Sequence, residues 1–301
     1  MNCTSLKRLA AVLLMLISVN ALNVKLAHAE IKLPAIIGDN MVLQQGQKNP
    51  LWGWAEPGEK ITATVNGQTH SATADDNGKW KVTLEPLKVG GPYEITIKGK
   101  ESITLKNVLS GEVWICSGQS NMAWTVGSSN DADLEIMTAN YPKIRLISVP
   151  QVGTQEPQDN FKGQWEACTP ETVRNFSGGG YFFGRQLYQT LNVPIGLIDN
   201  AWGGSSAEAW VNRKRLEDEP AFKEMLEKWE KTEASYNHEQ AVTAYNKRLD
   251  QWKASVKKAK AAGKAAPQRP RAPRNPLTGN HRPANIYNGV LYPTIGYGIK
   301  G

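Results

Sequence analysis

The chain has 301 residues, 40% of them hydrophobic and 21% charged, with 35 basic against 28 acidic side chains and three cysteines. That length is enough for two domains, and that hydrophobic content excludes a disordered chain. Beyond residue 29 no stretch is apolar enough to span a bilayer, and no Cys/His spacing suits a metal ion.

The first residues read as an export signal. Lys7-Arg8 form a positive start, Leu9–Val19 a short apolar core, and Ala27-His28-Ala29 a small-x-small cleavage site. The apolar core is too short to span a bilayer, although a retained anchor is the alternative. Cys3 precedes the core and so is not a lipobox cysteine. Cleavage after Ala29 is expected, with a periplasmic or secreted product and no membrane attachment. It would remove Lys7, Arg8 and Lys25, and leave two cysteines, Cys116 and Cys168. Export permits a disulfide between these two, while a buried strand around Cys116 favours free thiols.

Residues 30–108 read as all-β. Ile61–Val65, Lys79–Leu84, Tyr93–Lys98 and Ser102–Leu105 are short strand candidates. They are separated by Glu56-Pro57-Gly58, Asn66-Gly67, Asp76-Asn77-Gly78 and Gly90-Gly91-Pro92. Alternating apolar positions in two of these runs suit half-buried antiparallel strands, and a small β-sandwich is expected. His70 lies in an exposed strand and reads as solvated. Trp52, Trp54 and Trp114 read as core residues, with Trp124 and Trp202 as candidate site walls.

From Gly111 strands and helices alternate. Strands are expected at Val113–Cys116, Ile144–Val149 and Ile195–Asp199, and helices at Asp131–Ala139 and Tyr181–Thr190. Such alternation implies a mostly parallel sheet that binds ligands at the C-terminal ends of its strands. Two loops follow strands directly. Ser117-Gly118-Gln119-Ser120-Asn121 follows the first, with a helix expected after it and Asn121 or Ser120 as its cap. Gly203-Gly204 follows the third. A serine between a strand end and a helix start is where an acyl-transfer nucleophile would sit, because free N–H groups there favour an oxyanion. Gly-x-Ser occurs four times in the chain, at Gly118, Gly127, Gly203 and Gly204, and by itself also fits a turn or capping serine. Met122 stands where the G-x-S-x-G elbow needs glycine, which argues against an α/β-hydrolase.

Residues 213–275 differ. Leu216–Lys260 is charged and helix-forming, consistent with a hairpin of two long helices. Ala261–Arg274 is rich in alanine, proline and basic residues and is not expected to be helical. Between Lys253 and Arg274 there are eight basic residues and no acidic ones. No aromatic residues interleave with them as single-strand nucleic-acid binding requires, so no nucleic-acid partner is expected and an exposed linker is the simpler reading.

Five ordered blocks carry a family resemblance. They are Leu33–Trp54 (LPAIIGDNMVLQQGQKNPLWGW), the VWICSGQSNM run ending at Met122, Asn175–Leu187 (NFSGGGYFFGRQL), Pro194–Trp210 (PIGLIDNAWGGSSAEAW) and Asn285–Pro293 (NIYNGVLYP). Together they resemble the sialic-acid-specific acetylesterases, the sialate O-acetylesterase branch of the SGNH (GDSL-like) hydrolases, over roughly residues 31–212 and 282–301. The resemblance implies an N-terminal antiparallel β-sandwich (30–108). An SGNH-type, flavodoxin-like α/β hydrolase domain (109–301) would follow, with residues 213–275 as a helical insertion.

It also implies a serine acyl-enzyme mechanism without metal or cofactor. Ser120 would be the nucleophile, with its own N–H and that of Gly203 or Gly204 as oxyanion donors. Gln119, Asn121 and Trp202 are candidate substrate contacts, and Glu208 and Asp199 candidate supporting acids. The implied substrate is an acetylated glycan or sialic acid; an acetylxylan-type esterase or a non-catalytic carbohydrate-binding protein are the alternatives. Beyond residue 29 the only histidines are His70, His238 and His281, and no Asp-x-x-His block occurs. In the family an oxyanion asparagine and that block follow the sequence matching Ile299-Lys300-Gly301. The expected base therefore lies beyond residue 301, and a chain ending there is expected to show little activity and limited solubility.

Overall fold

The computed structural model describes residues 30–301; the expected export segment, 1–29, lies outside them. The chain forms a mixed α/β fold around an eight-stranded sheet. Its first strands are β1 (Val42–Gln44), β2 (Asn49–Trp54), β3 (Lys60–Val65), β4 (Gln68–Thr73), β5 (Lys79–Leu84) and β6 (Gly90–Lys98). β3 pairs antiparallel with β4 and β6, while β2 and β5 form a separate antiparallel pair. Strict alternation in β5, where Trp80, Val82 and Leu84 point inward, makes one face of that pair a core face. In β2 the same alternation turns Trp52 and Trp54 to the half-exposed face. Of the tryptophans expected in the core, Trp52 and Trp114 are partly buried and pack against it, Trp54 does not, and Trp80 and Trp165 are the indoles that are buried.

β7 (Ser102–Cys116) links the two halves of the molecule. Its first part pairs antiparallel with β6 and its last part, from Glu112, runs parallel to β10 (Ile195–Asp199). The division expected after residue 108 therefore falls inside one continuous strand. β10 in turn runs parallel to β8 (Tyr141–Ser148), which carries the short antiparallel β9 (Glu166–Cys168) at its far side. Arg145 of β8 ties this region to the N-terminal strands. Buried to 4% exposure, it donates to Asn40 Oδ1 at 2.9 Å and Asn107 Oδ1 at 3.2 Å.

Side-chain alternation in the parallel strands builds two cores. Ile144, Leu146, Ile195 and Leu197 face one side, under α3 (Gly178–Leu191) and beside α1 (Ala132–Thr138) and α2 (Pro170–Val173). Ile147 and Ile198 face the other, joining Ile36, Met41, Val42 and the N-terminal strands in one continuous cluster. Ser177 caps α3 by accepting from Gly180 N–H at 3.0 Å, and Asn192 ends it in the left-handed conformation.

The segment after Trp210 forms α4 (Arg213–Glu217), α5 (Lys223–Ser235) and α6 (His238–Ala261). This agrees with the helical hairpin read from the sequence. α6 buries none of its residues. The proline-rich stretch behind it folds back: Trp252 Nε1–H donates to Pro267 C=O at 2.8 Å, and the Arg269 guanidinium lies 5.8 Å from the Trp252 ring centre. At the other end, Lys300 N–H donates to Val113 C=O and Ile115 N–H to Gly301 C=O, on the free edge of β7. Among the described residues no helix is long and apolar enough to cross a membrane.

Candidate active site

β7, β10 and β8 end on the same edge because they run parallel, so the loops leaving Cys116 and Asp199 meet there. The first loop turns at Gly118, whose φ of 139° strongly favours a residue without Cβ. It then closes a single turn, Ala123 N–H to Gln119 C=O at 2.9 Å. The helix expected after Ser120 does not form. Trp124 C=O accepts from Gly178 N–H at 2.7 Å, and Val126 N–H donates to Phe176 C=O at 3.0 Å, so the chain is drawn out along the start of α3 instead. Accordingly neither Ser120 nor Asn121 is a helix cap, and Asn121 is an exposed turn residue.

The second loop is bound to the first. Trp202 N–H donates to Gly118 C=O at 2.9 Å. Gly204, at φ 69°, directs its N–H to Ser120 Oγ at 3.3 Å. Ser120 Oγ donates to Gln119 Oε1 at 3.1 Å. A Cβ added at Gly203 would lie 3.8 Å from Ser120 Cα. Ser120, Gln119, Gly203 and Gly204 are thus brought together. Trp202 is held through its backbone while its half-buried ring packs partly on the core. Trp124 is 58% exposed, its indole N–H bonded to Ser128 C=O.

Beside the serine lies an open hollow of about 630 Å³, lined by Ser117, Gln119, Ser205, Ser206, Trp210 and Leu291 among others. Hydroxyl and amide groups against an indole suit a polyhydroxylated ligand. Trp210 Nε1–H donates to Ser205 Oγ at 2.8 Å and fixes that wall. A smaller hollow of about 350 Å³ between Trp52, Trp54 and Gly296 is lined by neither loop.

Asp199, at the end of β10, sits below the loops. Burial pushes its carboxyl up to about 6, despite N–H donors from Ala201 and Ser177. It links the strand end to the start of α3. Its neighbour Asn200 is fully buried, and the side-chain amide has no partner among the described residues. Cys116 and Cys168 are both buried free thiols, pushed up to about 12 by burial, so the bridge left open by the sequence is not formed. Glu208 acts through its backbone, its C=O accepting from Ala284 N–H at 3.0 Å.

His70 and His238 have other surroundings, while His281 meets the Gly203–Ser206 loop through its backbone. His70 bonds Gln68 Oε1 at 2.8 Å, and His238 bonds the Tyr236 hydroxyl at 2.9 Å. His281 C=O accepts from Ser206 Oγ at 3.1 Å. Among the described residues no cluster of three or more His, Cys, Asp or Glu side chains is placed to hold a metal ion.

A family model described as carbohydrate esterase, sialic acid-specific acetylesterase, matches residues 110–262. This chain belongs to that family. The matched span holds Ser120 and Gly203-Gly204, and it runs on through α5 and α6, where the block-by-block resemblance was weakest. The chain is 35% identical over 201 residues to the sialate O-acetylesterase of Mus musculus, which is 60% of this chain and 37% of that protein. It is 36% identical over 205 residues to that of Homo sapiens, 60% of this chain and 38% of that protein. The aligned region is thus well under half the length of these relatives. A carbohydrate acetylesterase from Xanthomonas citri superposes with a TM-score of 0.66 at 27% identity, covering 90% of this chain and 50% of that one.

Proposed function

We propose that this family member is an exported carbohydrate esterase that removes O-acetyl groups from sialic acid or a related acetylated sugar. The observation that carries the reading is the Gly204 N–H directed at Ser120 Oγ across two parallel strand ends. Ser120 Oγ attacks the acetyl carbonyl carbon. The carbonyl oxygen becomes an oxyanion beside the N–H groups of Ser120 and of Gly203 or Gly204, and the sugar hydroxyl leaves with a proton. Water then releases acetate from the acetyl-serine. A histidine base takes the serine proton and returns it to the leaving oxygen, as serine hydrolysis requires. The hydroxyl-lined hollow beside Trp210 holds the sugar. No cofactor takes part in this scheme.

Residues 30–108 serve, in this reading, as a β-sandwich that buttresses the hydrolase domain, and residues 1–29 as the signal that directs export to the periplasm or beyond. The test offers O-acetylated sialic acid and acetylated xylan to the complete protein, with mass spectrometry after a rapid quench. Acetate release together with one acetyl group on the peptide containing Ser120 is the expected result, and preference between the two substrates assigns the sugar. Full activity of Ser120→Ala would remove the mechanism.

A further inference from the structure

We infer that Asn280 is a positioning residue for the reaction, holding the Gly203-Gly204 loop so that the Gly204 N–H faces the serine oxygen. This rests on the esterase reading above. The loop over Gly203–Ser206 contains two glycines and two serines and no large side chain, so it has little apolar surface to anchor it. It is fixed by hydrogen bonds from a segment more than 70 residues later. Asn280 Nδ2–H donates to Gly203 C=O at 2.8 Å, at the peptide unit whose N–H is that of Gly204. Because a peptide unit is planar, fixing that carbonyl fixes the direction of the opposite N–H. The hold is completed by Ser206 N–H to Asn280 C=O at 3.2 Å and Ser206 Oγ–H to His281 C=O at 3.1 Å.

The Asn280 segment is itself braced from two sides. Buried Asn285 donates to the carbonyls of Leu277 at 3.0 Å and Gly279 at 2.8 Å. Arg282 donates to Leu277 C=O at 3.1 Å and pairs with Glu233 of α5 at 2.9 Å. Their side chains are only 17% and 27% exposed, so this pair is better shielded than the ion pairs along the outer helix faces. The helices after residue 212 therefore reach the reacting atoms through a short chain, Glu233 to Arg282, Arg282 to the Asn280 turn, Asn280 to Gly203. This gives them a role in the site although none of their residues touches Ser120.

The experiment compares wild type, Asn280→Asp, Ser206→Ala, Glu233→Gln and the outer-face control Glu224→Gln. Two measurements are made: hydrogen exchange of peptides covering 200–207, and acetyl-ester kinetics. Aspartate keeps the shape of asparagine but sets an acceptor oxygen against the Gly203 carbonyl. Expected are exchange at least tenfold faster in 200–207 and a kcat about tenfold lower, with KM within twofold, because an oxyanion contact acts on the transition state. Ser206→Ala also speeds exchange in 200–207 and lowers kcat, both by smaller factors, and raises KM as well because Ser206 lines the sugar hollow. Its exchange keeps the test available should Asn280→Asp fail to fold. Glu233→Gln lowers kcat two- to threefold, and Glu224→Gln changes nothing. Wild-type exchange in both Asn280→Asp and Ser206→Ala overturns the inference. Faster exchange with unchanged kcat overturns its catalytic part. If Ser120→Ala is fully active, the esterase reading fails while the exchange result still decides whether Asn280 holds the loop.

Discussion

Around Ser120, loop positions are set by residues far away in the chain. Ser120 is bonded to a residue 84 positions later, Gly203 to one 77 later and Ser206 to one 75 later. In α5 and α6 the contacts are mostly local. Lys228 pairs with Glu224 and Lys253 with Asp250 within one turn, and Thr232 and Ser255 return their hydroxyls to the carbonyl four residues back. The first region holds glycine and serine in positions they would not take alone. The second lets helix propensity and i,i+4 pairing do most of the folding, and such pairs contribute only a few tenths of a kcal/mol each. A site for chemistry needs the first kind of construction, because a misplacement of about 1 Å costs orders of magnitude in rate.

The largest effect should come from breaking the first region at its centre. Ser120→Ala is expected to lower kcat for acetyl esters by at least about 1000-fold with the melting temperature within a degree or two, since the side chain is exposed. An unchanged rate would mean that the long-range ties around Ser120 serve something other than acyl transfer.

Next in size is a pH effect on stability from Asp199. Its folded-state value is about 6 against an ordinary 3.8, raised by burial. The native state therefore keeps a proton that the unfolded chain gives up between those values. The cost of the buried charge is fully present above about pH 6 and absent below about pH 4, so this group makes the protein less stable as pH rises through that window. The shift corresponds to about 3 kcal/mol at most. Asp199→Asn should flatten the dependence, read as the difference between wild-type and variant melting temperatures from pH 4 to pH 7. A parallel pair of curves would place the carboxyl in contact with water or a cation.

How much of this was legible in the sequence follows the same division. Strands β3, β5 and β10 and helices α1, α3, α5 and α6 were readable from periodicity and turn residues, because their patterns are local. The block around Ser120 and the Gly203-Gly204 loop were readable as a family resemblance, and parallel alternation put both loops on one edge. β7 was read as two short strands. Asn107, Ser110 and Gly111 look like breakers, but Asn107 takes a φ of 58° and spends its side chain on Asn40 and Arg145, so the strand continues. The helix after Ser120 was expected from capping residues and lost to the pairing of Thr125 with Ser177. Ser205 and Trp210 lie in a block that carries the resemblance but had no role assigned from it, and Asn280 carried no signal, since their roles depend on partners elsewhere in the fold.

The buried thiols give a smaller test of the first region. Cys116 sits under the loop at the end of β7, and Cys168 at the end of β9, both shielded and held neutral far above physiological pH. Neither should react with an alkylating reagent in the native protein, while both should react after denaturation. Labelling of Cys116 alone under native conditions would show that the strand end opens locally, which would weaken the picture of a rigidly held site.

The smallest effect belongs to the second region. Trp252 is where the stretch after α6 returns to the helix, through Pro267 C=O and the Arg269 guanidinium. That stretch is exposed and carries Lys264, Arg269, Arg271 and Arg274 without an acidic neighbour, so mutual repulsion opposes the fold-back. The stretch is tied at its two ends, where Lys264 N–H donates to Ala259 C=O at 2.8 Å and the Tyr236 hydroxyl to Arg274 C=O at 3.3 Å. Between them the Trp252 hydrogen bond and its exposed cation–π contact offset that repulsion, each contributing about 1 kcal/mol or less. Trp252→Ala should therefore free residues 265–273 and raise their hydrogen exchange, with the global melting temperature and esterase kcat unchanged because α6 buries no residue in the core. A drop of several degrees in melting temperature would show that the second region, too, is held by long-range ties, and the contrast between the two would fail.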